Sequence, residues 1–236
     1  LVLDLRAGGL TRRVTGFDAD RDNLAMAVRL GILDEASDWD PDRLEDYDLV
    51  VLAVPVIAQD IILEKGFGPR TLVTDVGSVK GSSVRAFRKA LAEGRPYRFV
   101  PAHPIAGDEK SGPEAARRGL FRGAHVIITP SAEPGPDEEA VRTMWEAVGA
   151  RVQFMEPDRH DAVFAWVSHM PHMAAYAILD GILRVDPGLV QLSGGGLRDY
   201  TRIVASSPRM WAEIAVANRD QVLHATRGLR KALDGI

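Results

Sequence analysis

Short apolar runs alternate with amphipathic stretches through the first two thirds of the chain. The most apolar run covers residues 48–55 (DLVVLAVP), and its bounding aspartate and proline are typical of a strand buried on both faces. Further strands are predicted at 13–18, 71–76, 98–102, 124–129 and 151–155, and helices at 1–9, 20–30, 82–93 and 137–148. This alternation predicts an α/β fold with a doubly wound, mostly parallel sheet and right-handed crossovers.

The strand pattern stops near residue 156, and helical periodicity replaces it. Helices are predicted at 158–185, 198–206 and 208–233. Apolar residues recur along one face of the last of these, which suits a helix that packs on a partner. The helical part alone is too small for much of a core. The sequence therefore predicts two domains, 1–155 and 156–236, the second all-helical and forming a homodimer.

The order of the opening elements, helix then strand then acid, is that of the second half of a Rossmann βαβ unit. In this unit a carboxylate after the second strand hydrogen-bonds the adenosine ribose of a dinucleotide, and Asp18 has that position. The first strand and glycine-rich turn of the unit would lie immediately before Leu1. The alternative that Asp18 only forms a turn or caps a helix stays open.

Composition narrows the function classes. The 236 residues are 46% hydrophobic and 26% charged, as in ordinary globular proteins. A net charge of −4 argues against nucleic acid as the main partner. The chain has no cysteine, which excludes disulfides, thiolate metal sites and a cysteine nucleophile. No apolar run approaches the ~20 residues of a membrane span and no signal peptide is visible, so we expect a cytoplasmic enzyme without membrane contact.

A histidine directly follows a predicted strand in the segment 103–112 (HPIAGDEKSG). Proline and glycine give this segment a specified backbone shape, and we expect it to be a loop. Ligands bind beyond strand ends in α/β sheets, so His103 is a candidate functional residue. A surface turn in which His103 merely caps the strand is the open alternative.

The segment 74–81 (TDVGSVKG) leads from a predicted strand through a turn into a helix. Gly77 would let the backbone come close to a ligand, and Ser78 offers a hydroxyl near the helix start. A plain N-cap role for Ser78 remains possible.

Two arginines follow a run of three glycines in the segment 193–202 (SGGGLRDYTR). Arg198 and Arg202 are four residues apart and share one helix face, which suits a carboxylate-bearing substrate. The alternative is a solvated face, or an ion pair with Asp199 or Glu213.

Two histidines lie three residues apart in the segment 168–172 (SHMPH), with Pro171 between them. The proline disturbs regular helix geometry, and no carboxylate partner pattern accompanies the pair. We therefore predict no metal site.

Five motifs together resemble the prephenate dehydrogenase (TyrA) family in order and spacing across essentially the whole chain. They are AVP (53–55), TDVGSVKG (74–81), HPIAGDEKSG (103–112), SHMPH (168–172) and GGGLRDYTRIVASSPRMW (194–211). The resemblance implies a Rossmann domain with a helical dimerisation domain. It also implies NAD(P)-dependent oxidative decarboxylation of prephenate to 4-hydroxyphenylpyruvate on the route to tyrosine. Use of arogenate, which gives tyrosine directly, occurs in the same family.

The resemblance assigns roles to particular residues. His103 matches the catalytic histidine that hydrogen-bonds the ring hydroxyl of the substrate, and Ser78 matches the serine that contacts both. Arg202 matches the arginine that holds the ring carboxylate. The other implied pocket positions are Glu109, Ser168, His172, Gly195, Arg198 and Trp211, some of them supplied across the dimer. The implied cofactor positions are Asp18, Val54, Pro55 and Gly77, with NAD as the cofactor.

Two positions leave questions open. Asp108 departs from the small hydroxyl residue that the family often has there, which puts the polarity of the pocket entrance in doubt. Asp161 matches a family position, but its role stays open. Two other function classes also remain: another two-domain hydroxy-acid dehydrogenase, which would be expected to use a catalytic lysine, and a non-catalytic NAD-binding sensor.

Overall fold

The computed structural model describes residues 1–107, 112–130 and 134–236. Its strands are β1 (Thr15–Gly16), β2 (Glu35–Ala36), β3 (Val50–Leu52), β4 (Leu72–Asp75), β5 (Arg98–Val100), β6 (Ala102–Pro104), β7 (His125–Ile128) and β8 (Arg151–Phe154). The helices of the first half are α1 (Val2–Ala7), α2 (Arg21–Arg29), α3 (Val56–Lys65), α4 (Gly81–Ala92) and α5 (Pro136–Ala147). Those of the second half are α6 (Pro157–Phe164), α7 (Met170–Val185), α8 (Gly195–Thr201), α9 (Pro208–Ala217) and α10 (Arg219–Leu233).

The strands form three hydrogen-bonded sheets, with the orders β1–β2, β3–β4–β5 and β6–β7–β8. Among the described pairings, β6 with β7 is antiparallel and the others are parallel. In the central sheet Leu52 lies beside Asp75, so the carboxyl ends of β3 and β4 meet at one edge. The predicted Rossmann-type, mostly parallel α/β fold followed by helices is confirmed, although its strands are distributed over three sheets.

The prediction that His103 lies in a loop is wrong. His103 is the middle residue of β6, and it pairs with Ile127 of β7. The segment does not have the pattern of a strand because Pro104 follows the histidine. A proline lacks the N–H that a ladder needs, and it is tolerated here in a strand that pairs on one side with β7.

The long terminal helix predicted at 208–233 is in fact two helices. Asn218 ends α9 with φ −108° and ψ 32° and also stands at the start of α10. Its side chain is buried and donates to Asp161 O and His169 Nδ1, so a tertiary contact interrupts the helix. In the same half, helix α8 begins at Gly195, three residues before the predicted helix start at residue 198.

The two halves share a small apolar core. Val56 at the start of α3 and Val79 before α4 pack against Trp211 and Ile214 of α9. This cluster brings the carboxyl ends of β3 and β4 next to the helical half. No helix in the described ranges combines the length and the apolar character needed to cross a membrane.

Candidate active site

A buried ion pair fixes the strand that carries His103. Asp75 at the end of β4 and Lys80 before α4 are both fully buried and form a salt bridge. Lys80 Nζ also donates to Ala102 O at 2.8 Å, and Ala102 N donates to Asp75 Oδ1 at 2.9 Å. Both backbone polar groups of the residue before His103 are therefore held by one charged pair. Desolvation lowers the pKa of Lys80, and the charge of Asp75 opposes that effect.

The same carboxylate organises the turn around Gly77. Asp75 Oδ2 accepts from Gly77 N at 3.0 Å and from Gln59 Nε2 of α3 at 2.7 Å. A Cβ on Gly77 would approach Gln59 Oε1 to 2.6 Å, so the position leaves no room for a side chain. The turn before α4 is thus built on a glycine and a buried carboxylate, and it carries Ser78, whose side chain is half-buried.

His103 reaches from β6 into the helical half. Its Nδ1 lies 2.8 Å from Nε2 of His160 on α6, and its ring lies 4.8 Å from the ring of Phe164, centroid to centroid. Burial lowers the pKa of His103 well below the ordinary value of 6.5. A histidine of this kind is neutral near pH 7 and can accept a proton.

His160 is fully buried between His103 and Asp161. Its Nδ1 lies 2.9 Å from Asp161 Oδ1. The Asp161 carboxylate also accepts from the backbone amides of Lys80 and Gly81, each at 2.8 Å, at the start of α4. Burial would raise the pKa of Asp161, but the hydrogen bond from His160 and these two amides lower it. Asp161 is therefore a carboxylate that joins α6 to the first half.

A second buried histidine lies beside this group. Asn218 Nδ2 donates to Asp161 O at 2.8 Å and to His169 Nδ1 at 3.1 Å. The remaining ring nitrogen of His169, Nε2, has no partner within the described residues. Burial lowers the pKa of His169 to about 4. His169 is accordingly neutral at pH 7.

His172 and Trp211 form a stacked pair. Their ring centroids are 3.4 Å apart with an interplanar angle of 19°. His172 Nδ1 donates to Ser168 O at 2.9 Å, and Trp211 Nε1 donates to Ser206 Oγ at 2.8 Å. Trp211 also packs in the core shared by both halves. The structure thus brings Ser168, His172 and Trp211 together.

The two arginines lie on the exposed side of the helical half. Arg198 is on α8, its Nε is 3.5 Å from Ser193 Oγ, and Arg202 stands at the end of that helix. Glu213, one of the partners considered from the sequence, pairs instead with Arg209 at 3.2 Å. Within the described part of the chain, neither Arg198 nor Arg202 forms an ion pair. Among the described residues, no hydrogen bond or ion pair joins either arginine to His103. Gly195, on the same helix, has open space where a Cβ would stand.

The predicted cofactor positions lie at strand ends. Val54 and Pro55 follow β3, and Pro55 precedes the first residue of α3. Asp18 follows β1 and is exposed; its Oδ1 accepts from Asp20 N at 2.9 Å. Asp18 therefore forms the turn that the sequence left open as an alternative, and its second oxygen is not engaged by that bond. Asp20 has the cap role, accepting from the first amides of α2.

Two predicted positions, Glu109 and Asp108, lie outside the described residues. Conversely, sequence reasoning missed four residues that hold the site together: Asp75, Lys80, His160 and Asn218. Asp75 and Lys80 stand in the motif at 74–81, on either side of the uncharged residues 76–79. Two charged residues so close to a buried strand were the available signal for a buried ion pair. His160 gave none, because its partner His103 is 57 residues away.

An α/β half whose strand ends meet a helical half, with a neutral histidine at the junction, has the architecture of a two-domain dinucleotide-binding oxidoreductase. Comparison with known protein families supports this class of protein. The model described as "Prephenate dehydrogenase, nucleotide-binding domain" matches residues 1–154. The model described as "Prephenate dehydrogenase, dimerization domain" matches residues 156–236. The chain belongs to the prephenate dehydrogenase family, and the resemblance drawn from the five motifs is confirmed.

Individual relatives support the same assignment. Prephenate dehydrogenase of Bacillus subtilis is 33% identical over 222 residues, which are 90% of this chain and 59% of the relative. Cyclohexadienyl dehydrogenase of Zymomonas mobilis is 34% identical over 207 residues, 84% of this chain and 69% of the relative. A crystal structure of Aquifex aeolicus prephenate dehydrogenase with hydroxyphenyl propionate and NAD+ superposes with a TM-score of 0.88. It is 37% identical, and the match covers 98% of this chain and 82% of that one.

Proposed function

We propose that this chain catalyses the NAD-dependent oxidative decarboxylation of prephenate to 4-hydroxyphenylpyruvate. The observation that carries the proposal is the neutral His103, anchored at the junction of the two halves, in a chain that belongs to the prephenate dehydrogenase family. The solved A. aeolicus relative, which holds NAD+ and a hydroxyphenyl compound, supports the cofactor and the ring-shaped substrate.

The residues present fit a dinucleotide. The exposed carboxylate of Asp18 stands after β1, where it can accept from ribose hydroxyls. Val54 and Pro55 offer an apolar surface after β3. Gly77 lies in the turn before α4, where Gln59 and Asp75 leave no room for a side chain, and it completes the proposed cofactor positions. When bound, NAD would supply the acceptor for the hydride that leaves the substrate.

His103 would handle the proton in this reaction. Hydride loss from the carbinol carbon builds positive character there, and a base that takes the hydroxyl proton lowers the barrier. Loss of CO2 then leaves the bonding electron pair in the ring, which becomes aromatic. The oxygen ends as a phenolate, and His103 can return the proton to it. The reaction therefore consumes no net proton at this residue.

The other predicted site residues would bind and orient. Ser78 lies on the turn beside Gly77 and would contact the ring hydroxyl together with His103. Arg202 would hold the ring carboxylate, since no ion pair within the described residues occupies its guanidinium. The remaining pocket positions in this proposal are Glu109, Ser168, His172, Gly195, Arg198 and Trp211.

We also propose a homodimer formed through residues 156–236, with residues 1–155 as the nucleotide-binding domain. The match of this half to a dimerization domain supports it. Exposed apolar side chains on its helices support it too, among them Val167, Val185, Leu192 and Val216. Some pocket residues would then come from the second copy, which would explain why no hydrogen bond within the described residues joins the arginines to His103. A cytoplasmic location stays a prediction.

A substrate comparison tests this proposal. Purified protein is incubated with NAD and either prephenate, arogenate or a 3-hydroxy acid, and kcat/KM is measured for each. We expect prephenate to give the highest value and 4-hydroxyphenylpyruvate as the product. A clear preference for the 3-hydroxy acid would identify a different two-domain dehydrogenase. NAD binding without turnover of any of the three would identify a binding module.

A further inference from the structure

His103, His160 and Asp161 form a hydrogen-bonded row. Asp161 Oδ1 lies 2.9 Å from His160 Nδ1, and His160 Nε2 lies 2.8 Å from His103 Nδ1. His160 is fully buried, and Asp161 is nearly so. The row crosses from α6 of the helical half to β6 of the first half. Within this row, Nε2 of His103 has no hydrogen-bond partner.

The Asp161 carboxylate determines which ring nitrogen of each histidine carries the proton. Asp161 already accepts from the amides of Lys80 and Gly81, which stabilise its ionised form. An ionised carboxylate only accepts hydrogen bonds, so the proton of neutral His160 is on Nδ1 and its Nε2 is bare. A bare nitrogen can only accept from His103, so the proton of His103 is on Nδ1. The tautomers follow from these partners.

We propose that His160, held by Asp161, is a positioning residue that fixes His103 in the tautomer whose Nε2 is bare and free to accept the substrate's proton. This inference rests on the proposed function, in which His103 is the base. It goes further because it assigns the orientation of that base to a residue of the helical half. A histidine in the opposite tautomer would present an N–H to the substrate hydroxyl and could not take its proton.

The row also stabilises the charge that forms during the reaction. When Nε2 takes the substrate proton, His103 becomes an imidazolium whose Nδ1–H donates to His160. That hydrogen bond is then charge-assisted, and the Asp161 carboxylate is the next group along. This matters because the buried surroundings of His103 otherwise disfavour its charged form. On aromatisation the same proton returns from Nε2 to the phenolate oxygen.

Two substitutions of His160 separate its hydrogen bond to His103 from its hydrogen bond to Asp161. In His160→Gln the amide oxygen can stand where Nε2 stands and accept from Nδ1 of His103, so the tautomer is retained. In His160→Asn the shorter amide can still donate to Asp161 but does not reach His103. The matched control is His224→Asn, the same change at an exposed histidine of α10. Asp161 itself is unsuitable, because its substitution would also disturb the start of α4.

The experiment measures kcat, KM for prephenate and NAD binding for these variants, and reads the ring nitrogens of His103 by ¹⁵N NMR. In the wild type at neutral pH we expect Nδ1 protonated and Nε2 bare. We expect His160→Asn to lower kcat by about 10- to 100-fold, the range seen when groups that orient metal-bound histidines are lost. KM and NAD binding should stay within about threefold, His160→Gln should recover much of kcat, and His224→Asn should match the wild type.

A wild-type His103 protonated on Nε2, or a folded His160→Asn variant with wild-type kcat, would overturn the inference. Equal losses in the Asn and Gln variants, with NAD binding lost as well, would also overturn it, since they indicate a purely structural histidine. The NMR reading on the wild type needs no variant and no substrate. If the wild type failed to oxidise prephenate, the proposed function would fail, while this reading would still decide the tautomer.

Discussion

At the scale of single residues, the site depends on which polar groups have protein partners and which do not. His103 uses one ring nitrogen to reach His160, and no hydrogen bond within the described residues engages the other. Arg202 has no ion pair within the described residues, although acids stand nearby in sequence. A group left without a partner in an otherwise satisfied neighbourhood is a candidate for contact with a ligand. The candidate base and the candidate carboxylate clamp are both such groups.

The His103→Asn variant tests the base. Asparagine keeps a polar group of similar reach but cannot take a proton, so we expect kcat to fall by about 10²–10⁴-fold, the usual contribution of a general base. NAD binding should be unchanged. Because the pKa of His103 lies well below 6.5, kcat/KM of the wild type should stay level down to pH 6.5 and fall only at lower pH. The control is His125→Asn, an exposed histidine on the neighbouring strand β7. A near-normal kcat in His103→Asn would remove this residue from the mechanism.

Arg202→Ala tests the carboxylate clamp. A charge-assisted hydrogen bond is worth about 1.5–3 kcal/mol, so we expect KM for prephenate to rise by about 10- to 150-fold. The value of kcat should fall far less, because the carboxylate must finally leave as neutral CO2. Steady-state kinetics measure both quantities. Arg209→Ala is the matched control, since Arg209 pairs with Glu213 on α9. A collapse of kcat at unchanged KM would contradict the binding role.

Asp18 is expected to set the choice of cofactor. Its exposed carboxylate can accept from a ribose hydroxyl, and it repels a 2′-phosphate, so kcat/KM should be clearly higher with NAD than with NADP. Arg21 could soften this preference, but its guanidinium is paired with Asp38. Replacing Asp18 with asparagine removes the repulsion and should narrow the difference. Comparable kcat/KM for both cofactors in the wild type would mean that Asp18 serves only its turn with Asp20.

The choice between prephenate and arogenate is expected to involve Asp108. Arogenate carries an ammonium group where prephenate carries a keto group, and a carboxylate near the pocket mouth would attract the former. We therefore expect Asp108→Thr to lower kcat/KM for arogenate relative to prephenate. The measurement is the ratio of the two specificity constants in the wild type and in the variant. An unchanged ratio would show that Asp108 plays no part in substrate choice.

At the scale of elements, most strands of the first half were predictable because their apolar runs are continuous and bounded by turn residues. The two-residue strand β2 has no such run and was not predicted. Strand β6 was not predicted either, because its sequence, Ala102-His-Pro104, lacks an apolar pattern and contains a proline. What holds it in place is a pair of distant groups, Asp75 and Lys80, that bind the backbone of Ala102. The interruption between α9 and α10 at Asn218 was not predictable either, because the apolar periodicity continues across it. It too depends on contacts with residues distant in sequence.

Lys80→Met tests the anchor of β6. The substitution leaves the Asp75 carboxylate buried without its cation, which typically destabilises a protein by about 3–5 kcal/mol. We expect urea unfolding to show a loss of this size in the free energy of unfolding. Lys89→Met on α4, the helix that follows Lys80, is the control, because Lys89 is exposed in its pair with Glu64 and should contribute little. Equal stability of the two variants would mean that the pair of Asp75 and Lys80 does not anchor β6.

At the scale of the whole molecule, the sequence was sufficient for the fold class and the family, because five motifs agree in order along both halves. It was not sufficient for the way the halves are joined. That joint depends on Asp161, which contacts α4 across 80 residues of sequence, and on Trp211 and Val79 in a shared core. The candidate base therefore lies on one half and its orienting partner on the other, so both halves are needed for an active site.

The most direct test of the central claim is the stoichiometry of one reaction. The wild-type protein is mixed with NAD and limiting prephenate, and NADH absorbance, released CO2 and 4-hydroxyphenylpyruvate are measured together. We expect one of each per prephenate consumed, with His103→Asn slowing all three equally. NADH formed without CO2, or no prephenate-dependent NADH from a protein that binds NAD, would contradict the account.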